Sequence, residues 1–309
     1  MLIENYSGLT LVTPPTGNPV SVADARAHSR ILDSAHDTLI AGYLSSSTTL
    51  CEDKCWRAFM PQTWRLALNQ WPGRTPGIGY YEPSNVAEYY RFNFIALPRP
   101  PLVSIAAFTY TDTQGNVFNM QQGYDSAVGN YVLDTEPEPG RVGLPFAGIW
   151  PVTILLPHSP IKITFNCGYS AWTGVMNIDA AGNATWVSGP VFDPSLAGSW
   201  VSVHVTAGSP INMAQAGSFN VLSVAADGKS MVLVLPTPPS VMPLPVTLPA
   251  NNVVWNGNNV PMAIRTAILY LAAHRYENRE PIQVQRGLVA VEVPETVDAL
   301  LAPYKQWMV

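Results

Sequence analysis

The feature that most constrains this chain is a change in hydrophobic period, made twice. From about Ser34 to Phe59, apolar residues (Leu39, Ile40, Tyr43, Leu44, Cys51, Cys55, Phe59) recur at three- and four-residue steps, the signature of a helix, which Pro61 stops. From Gln62 to Tyr169 the period is two. The runs TWRLALNQW, YYRFNFIAL, LVSIAAFTYTD, NYVLD and IKITFNCGY are rich in β-branched and aromatic residues and separated by turn residues. After Asn259 the helical period returns in VPMAIRTAILYLAAHRYENRE, with Ile264, Ile268 and Leu271 on one stripe. About 18 residues at ~1.5 Å each give a helix of ~27 Å. A β-rich middle bracketed by helices predicts an α+β fold, a helical core with a small, mostly antiparallel sheet.

Local signals refine this frame. Residues 1–18 read as an extended N-terminal arm. Ser21, with Asp24 three positions on, is an N-cap with an imperfect capping box for a first short helix reaching about Ile31. Asp112-Thr113-Gln114-Gly115-Asn116 reads as a hairpin loop, with Gly115 or Asn116 supplying the positive-φ position. A stretch around Gly287 separates the long helix from a final short one beginning near Pro294.

Residues 172–256 differ in kind. Their only charged residues are Asp179, Asp193, Asp227 and Lys229, and they carry Trp172, Trp186, Trp200 and Trp255. Asp227-Gly228 is a hairpin signal between two apolar strands. The expected organisation is therefore an arm (1–18), a helical/β domain (19–171 and 257–309) and an inserted all-β unit (172–256), a small barrel or sandwich.

Charged residues make up 12% of the chain, about half of the roughly 25% usual in soluble domains. A surface so poor in charge is expected to be covered by partners, and its tryptophans to lie partly in contact surfaces. The net charge of −5 provides no basic footprint for gripping phosphates. No stretch approaches the ~18 uninterrupted apolar residues of a membrane span, and the first residues lack the pattern of a signal peptide.

Catalytic patterns are missing. There is no GxSxG, HExxH, GxxxxGK[ST] or GxGxxG, and the five histidines (His28, His36, His158, His204, His274) show no ligand spacing. Cys51, Cys55 and Cys167 lack CxxC spacing and read as small buried thiols. Acidic residues bunch at Asp134, Glu136 and Glu138, where flanking prolines imply an exposed loop. Arg57, Arg65, Arg74, Arg91 and Arg99 are dispersed rather than clustered, and Arg275 with Arg279 shares a face of the long helix at i, i+4. No catalytic residue, metal site or cofactor is expected. The candidate interface residues are Tyr304, Trp307 and Met308 near the C-terminus, Arg275 and Arg279 on the helix, and Trp186 and Trp200 in the β unit. An alternative reading makes that β unit a carbohydrate- or protein-binding module working through aromatic stacking.

Five segments, in order, resemble the head–tail connector (adaptor or head-completion) proteins of long-tailed bacteriophages. They are PVSVADARAHSRI at 19–31, PQTWRLAL at 61–68, LPRPPLVSIAAFTYTDTQG at 97–115, ITFNCGYS at 163–170 and VPMAIRTAILYLAAHRYENRE at 260–280. The resemblance covers about two thirds of the chain and leaves out 172–256. It implies a structural, non-enzymatic virion protein made in the host cytoplasm. In the mature particle it would form a ring, usually of twelve copies, beneath the portal protein and above the tail or a tail-completion protein. Double-stranded DNA would pass through the lumen without sequence-specific binding.

Overall fold

The computed structural model describes residues 6–15, 17–72, 94–125, 129–145, 148–179, 181–198, 200–204, 217–234, 250–278 and 295–306, with Arg74, Thr75, Gly79, Tyr80 and Ala127. It is a mixed α+β fold of two compact units. One comprises residues 1–16, 56–168 and 305–309, the other 17–55 and 169–304.

The first unit is built on a five-stranded antiparallel sheet. Its strands are β1 (Tyr6–Thr13), β2 (Gln62–Leu68), β6 (Leu102–Thr111), β7 (Val117–Asn119) and β10 (Ile161–Cys167), in the order β1-β2-β10-β6-β7. The period of two explains the layering. In β10, Ile161, Ile163, Phe165 and Cys167 are buried, while Lys162 between them is exposed. Opposing residues in antiparallel strands share a face. Leu68 thus stands opposite Ile161, Leu66 opposite Ile163, and Phe108 on the other flank of Ile163. Above this layer Trp71 stacks on Trp150, ring centroids 4.9 Å apart and planes 8° from parallel. A smaller sheet, β5 (Phe94–Ala96), β9 (Arg141–Gly143) and β8 (Val132–Asp134), contributes Ile95 and Val142 to the same core. A two-stranded ladder, β3 (Arg74–Thr75) with β4 (Gly79–Tyr80), completes the strands of this unit.

The predicted hairpin connects β6 and β7. Gly115 takes φ +85°, its N–H donates to the Asp112 carbonyl at 3.1 Å, and the Asp112 N–H donates to the Asn116 carbonyl at 3.1 Å. The expected arm is partly a strand, since residues 6–13 form the edge of the sheet.

The second unit joins helices to a closed set of strands. Helix α1 (Val22–His28) has the full capping box: the Ser21 hydroxyl accepts from the Asp24 N–H at 3.1 Å, and Asp24 Oδ2 accepts from the Ser21 N–H at 3.3 Å. Helix α2 is Asp37–Cys55, shorter at both ends than the period suggests. Trp56 enters the left-handed region at φ +55° and ends it, so Phe59 is buried from outside the helix. Helix α3 (Met262–Glu277) spans 16 residues, about 24 Å at ~1.5 Å per residue, and ends where Asn278 caps it. Ile264, Ile268 and Leu271 are buried as the stripe predicts. α3 packs against α1 and α2, and α4 (Glu295–Leu301) against α2 and α3. The stretch around Gly287 lies outside the described residues.

The strands of this unit are β11 (Ala171–Ile178), β12 (Asn183–Ser188), β13 (Trp200–His204), β14 (Gly217–Val224), β15 (Ser230–Val234) and β16 (Ala250–Asn258). Each pairs antiparallel with two neighbours, in the order β11-β12-β15-β14-β13-β16, and β16 returns to β11 to close the cycle. Met176, Ile178, Phe192, Val201, Val203, Phe219, Val221, Met231 and Leu233 fill the interior.

This division differs from the one composition suggests. The helices group with the barrel strands, whereas composition assigns them to the five-stranded sheet. Local bonds explain why: α1 packs on β14, and the Asn258 side chain at the end of β16 donates to the Pro19 carbonyl at 3.1 Å. The Asn258 carbonyl oxygen accepts from the Val260 N–H at 3.2 Å, which ties the barrel exit to the start of α3.

Candidate interaction surfaces

The charged side chains that invite a chemical reading are held by one another. In the acidic loop, Arg57 forms a two-pronged ion pair with Glu138, Nη1 to Oε1 at 2.9 Å and Nη2 to Oε2. Arg141 Nε meets Asp134 Oδ2 at 2.9 Å. Carboxylates paired this way are not converging on a cation. Among the described residues no group of three or more His, Cys, Asp and Glu is placed to hold a metal ion, and no helix is long and apolar enough to cross a membrane.

Buried Arg99 lies between two tryptophans, its guanidinium carbon 4.4 Å from the Trp56 ring centroid and 5.1 Å from that of Trp64. This cation–π sandwich braces the first unit. Arg265 is buried in α3 with Asp24 3.7 Å away; burial lowers its pKa from the ordinary arginine value, and Asp24 opposes that. The Cys51 thiol is pushed up to about 12, first by burial and then by neighbouring Cys55, so it is an inert core group rather than a nucleophile.

Two loops share a construction that the sequence reading caught only once. Asp112 and Asp179 each begin the pattern Asp-x-x-Gly-Asn. In the second, Asp179 Oδ1 accepts from the N–H groups of Ala181 (2.9 Å) and Asn183 (2.8 Å), and Oδ2 from the Asn183 side chain at 2.7 Å. Asp112 makes the same set with Gln114, Asn116 and the Asn116 side chain, each at 2.9 Å. Both carboxyls are held below the usual aspartate range, chiefly by the asparagine side chain. The repeated DxxGN was the available signal for the second loop.

The sequence-predicted interface residues that the structure describes lie on different elements. Arg275 is half-buried on α3, its Nη1 donating to Ser46 Oγ at 2.6 Å and reaching Ser47 Oγ at 3.5 Å, so it fastens α3 to α2. Arg279, Trp307 and Met308 lie outside the described residues. Tyr304 is half-buried in the short turn Ala302–Tyr304 after α4. Trp186 packs on the barrel interior while its Nε1–H donates to the Gly189 carbonyl at 3.1 Å. Trp186 remains half-exposed. Trp200 opens β13.

The surface that sequence reasoning missed is at one end of the five-stranded sheet. Val117 on β7 is 63% exposed and Ile154 is 72% exposed, with Val152, Ile149 and Leu156 exposed nearby in the chain. The Leu156 N–H donates to the Thr111 carbonyl (3.1 Å) and the Thr113 N–H to the Ile154 carbonyl (3.2 Å). Leu155 bridges Asp112, and Val117 stands opposite Thr111. Register therefore places Val117, Leu156 and Ile154 on one face of the hairpin. No charged residue occurs between Asp112 and Asp125 or between Arg141 and Lys162. The absence of charge over these two stretches was legible; their meeting at the hairpin required the fold.

No protein-family profile matches the chain, and no curated protein sequence is significantly similar to it. Solved structures do match. A chain in the neck of an empty GTA particle, computed with C6 symmetry, aligns over 98% of this chain and 97% of that chain, with TM-score 0.50 and 15% identity. A chain in the virion of a native gene transfer agent (GTA) particle aligns over 97% and 96%, with TM-score 0.49 and 16% identity. One in the neck of the native GTA particle, computed with C12 symmetry, aligns over 98% and 97%, with TM-score 0.45 and 16% identity. The first alignment establishes a likeness of overall fold that runs through the barrel as well as the sheet and helices.

Proposed function

We propose that this protein is a structural component of the neck of a phage-like particle, a head–tail connector without catalytic chemistry. In this reading it assembles as a ring of twelve copies beneath the portal, joins head to tail, and leaves a passage for double-stranded DNA. The observation that carries the reading is the fold likeness, over nearly the whole of both chains, to a chain in a particle neck. The five ordered segments that resemble head–tail connectors point the same way, and so does the sixfold symmetry under which that neck was computed.

The physical chemistry is compatible. A ring protomer buries two unlike faces against its neighbours, an arrangement that closes by rotation. It buries further surface against the layers above and below. Twelve copies at −5 each carry −60, so a lumen sharing that sign repels DNA and lets it slide. Residues 172–256 act in this reading as a β element that enlarges the contact surface.

The test is assembly. Purified protein, alone and mixed with portal-bearing heads, is examined by native mass measurement and negative-stain microscopy. Rings, alone or seated on the portal, are expected. A chain that stays monomeric even with portal-bearing heads overturns the reading, and a strongly basic lumen in a map of the assembled neck overturns the passage.

A further inference from the structure

Resting on the ring reading, we infer that the outer face of the five-stranded sheet is a cationic docking surface for a second copy of this chain, which meets it with the acidic loop between β8 and β9. Register defines the face turned away from the core. One row across it sets Thr10, Arg65, Thr164 and Ala107 side by side, and the next sets Gly8, Ala67, Lys162, Thr109 and Asn119. Side-chain bonds agree. Arg65 Nε donates to Thr164 Oγ1 at 3.4 Å, and Asn166 bridges Thr63 and Ser104 on the same face at 2.8 and 3.0 Å. A polar outer face is common to solvated antiparallel sheets, but this one differs in two ways. Its side chains are mostly short, so few rotamers are lost when another surface settles on it. Its charges have one sign: Arg65 and Lys162 are exposed, and neither row carries a carboxylate.

Arg65 and Lys162 are diagonal neighbours on β2 and β10, roughly 7–8 Å apart. Like charges this close disfavour the lone protomer and are relieved by an anionic partner. The rest of the chain supplies one. Of the 16 Lys and Arg, 14 lie elsewhere, against 21 Asp and Glu. Between Arg99 and Arg141 the sequence has five carboxylates (Asp112, Asp125, Asp134, Glu136 and Glu138) and no basic residue. The last three lie at the β8–β9 turn. Glu136 is exposed there, and the Glu138 side chain is 46% exposed with Arg57, 7% exposed, behind it, so the turn shows its negative side outward. β8 and β9 belong to the sheet whose Val142 enters the core, so the turn and the cationic face lie on opposite sides of one apolar layer. One molecule cannot close such a pair on itself. Two copies join it head-to-tail and leave a face and a turn open for further copies. Two cations per copy within a net charge of −5 form no broad footprint for DNA, which favours the protein partner.

The experiment uses the full chain in two charge-reversed forms, Arg65→Glu with Lys162→Glu on the face, and Thr135→Lys with Glu136→Lys on the turn. All four positions are exposed, and thermal melts establish that each form is folded. Assembly on portal-bearing heads is read by native mass measurement and negative-stain microscopy. Each reversed form alone is expected to lose the ring. A one-to-one mixture is expected to recover rings of wild-type size holding equal numbers of the two forms, because alternation sets every face against a turn of opposite sign. Rings from either reversed form alone, or a mixture that fails, overturn this inference and leave the neck reading intact. Rings that persist without the two cations, while binding to a labelled random-sequence duplex is lost, overturn it in favour of a phosphate backbone as the occupant. Failure of the wild type to form rings overturns the reading itself, and this inference with it.

Discussion

Gly168, where β10 ends, allows a prediction whose size follows from coordinates. Its φ is +109°, and a Cβ placed there would lie 2.2 Å from the Met60 carbonyl oxygen and 2.6 Å from its carbon. Those are backbone atoms, so no rotamer change relieves the clash. The Gly168 N–H also donates to the Pro101 carbonyl at 2.9 Å, which pins the position from the other side. Forcing an L side chain into an unfavourable backbone region costs roughly 1–3 kcal/mol, and overpacking a rigid site a further ~1–3 kcal/mol. Gly168→Ala is therefore expected to destabilise by about 2–6 kcal/mol. At about 2–4 °C per kcal/mol for a chain region of this size, the melting temperature falls by about 4–24 °C. The control is Gly8→Ala, where a Cβ meets nothing within 4 Å. That change is expected to leave the transition within about 0.5 kcal/mol of wild type, as ordinary surface substitutions do. Thermal unfolding followed by tryptophan fluorescence and circular dichroism measures both. A Gly168→Ala protein melting with the Gly8→Ala protein would refute the argument from close approach.

The pair Asp112→Ala with Asp179→Ala tests the two Asp-x-x-Gly-Asn loops. Since each folded carboxyl is held below its usual range, its stabilisation is present above the unfolded aspartate pKa and lost as pH falls through the folded one. Acid titration by fluorescence should therefore show a larger stability loss below about pH 4 in wild type than in the double variant; equal acid slopes would refute the pairing. Cys51, with its thiol near 12, should resist iodoacetamide at about pH 8 in the native protein and label only on unfolding, read by mass spectrometry. Glu138→Ala leaves the buried Arg57 guanidinium without its carboxylate and should cost about 1–3 kcal/mol in denaturant unfolding. Glu136→Ala, in the same loop, should stay within about 0.5 kcal/mol.

What the sequence disclosed, and what it withheld, follows from the range of the forces involved. The capping box at Ser21 and Asp24, the Gly115 hairpin and the α3 stripe at Ile264, Ile268 and Leu271 are decided within a few residues, and all three stand in the structure. The end of α2 was misjudged because Phe59 continues the helical spacing, while the backbone reverses at Trp56. Which strands the helices join has a long-range cause. Asn258 reaches back to Pro19 across more than two hundred residues, and no periodicity encodes that bond. The surroundings of Arg275 and Trp186 lie beyond residue type: a serine pair on α2 holds the first, and the second packs in part on the barrel core.

The scarcity of charge, which first suggested a covered surface, is sharpened by where the existing charges go. Arg57, Arg141, Arg26, Arg265 and Lys54 each face a carboxylate within their own unit: Glu138, Asp134, Asp37, Asp24 and Asp298. Asp112 and Asp179 are absorbed by their own loops. The charge left without a partner in the fold is thus smaller than 12% implies. Val117 and Ile154 are exposed within stretches of sequence that carry no charge, and exposed apolar side chains grouped in this way mark an interaction surface.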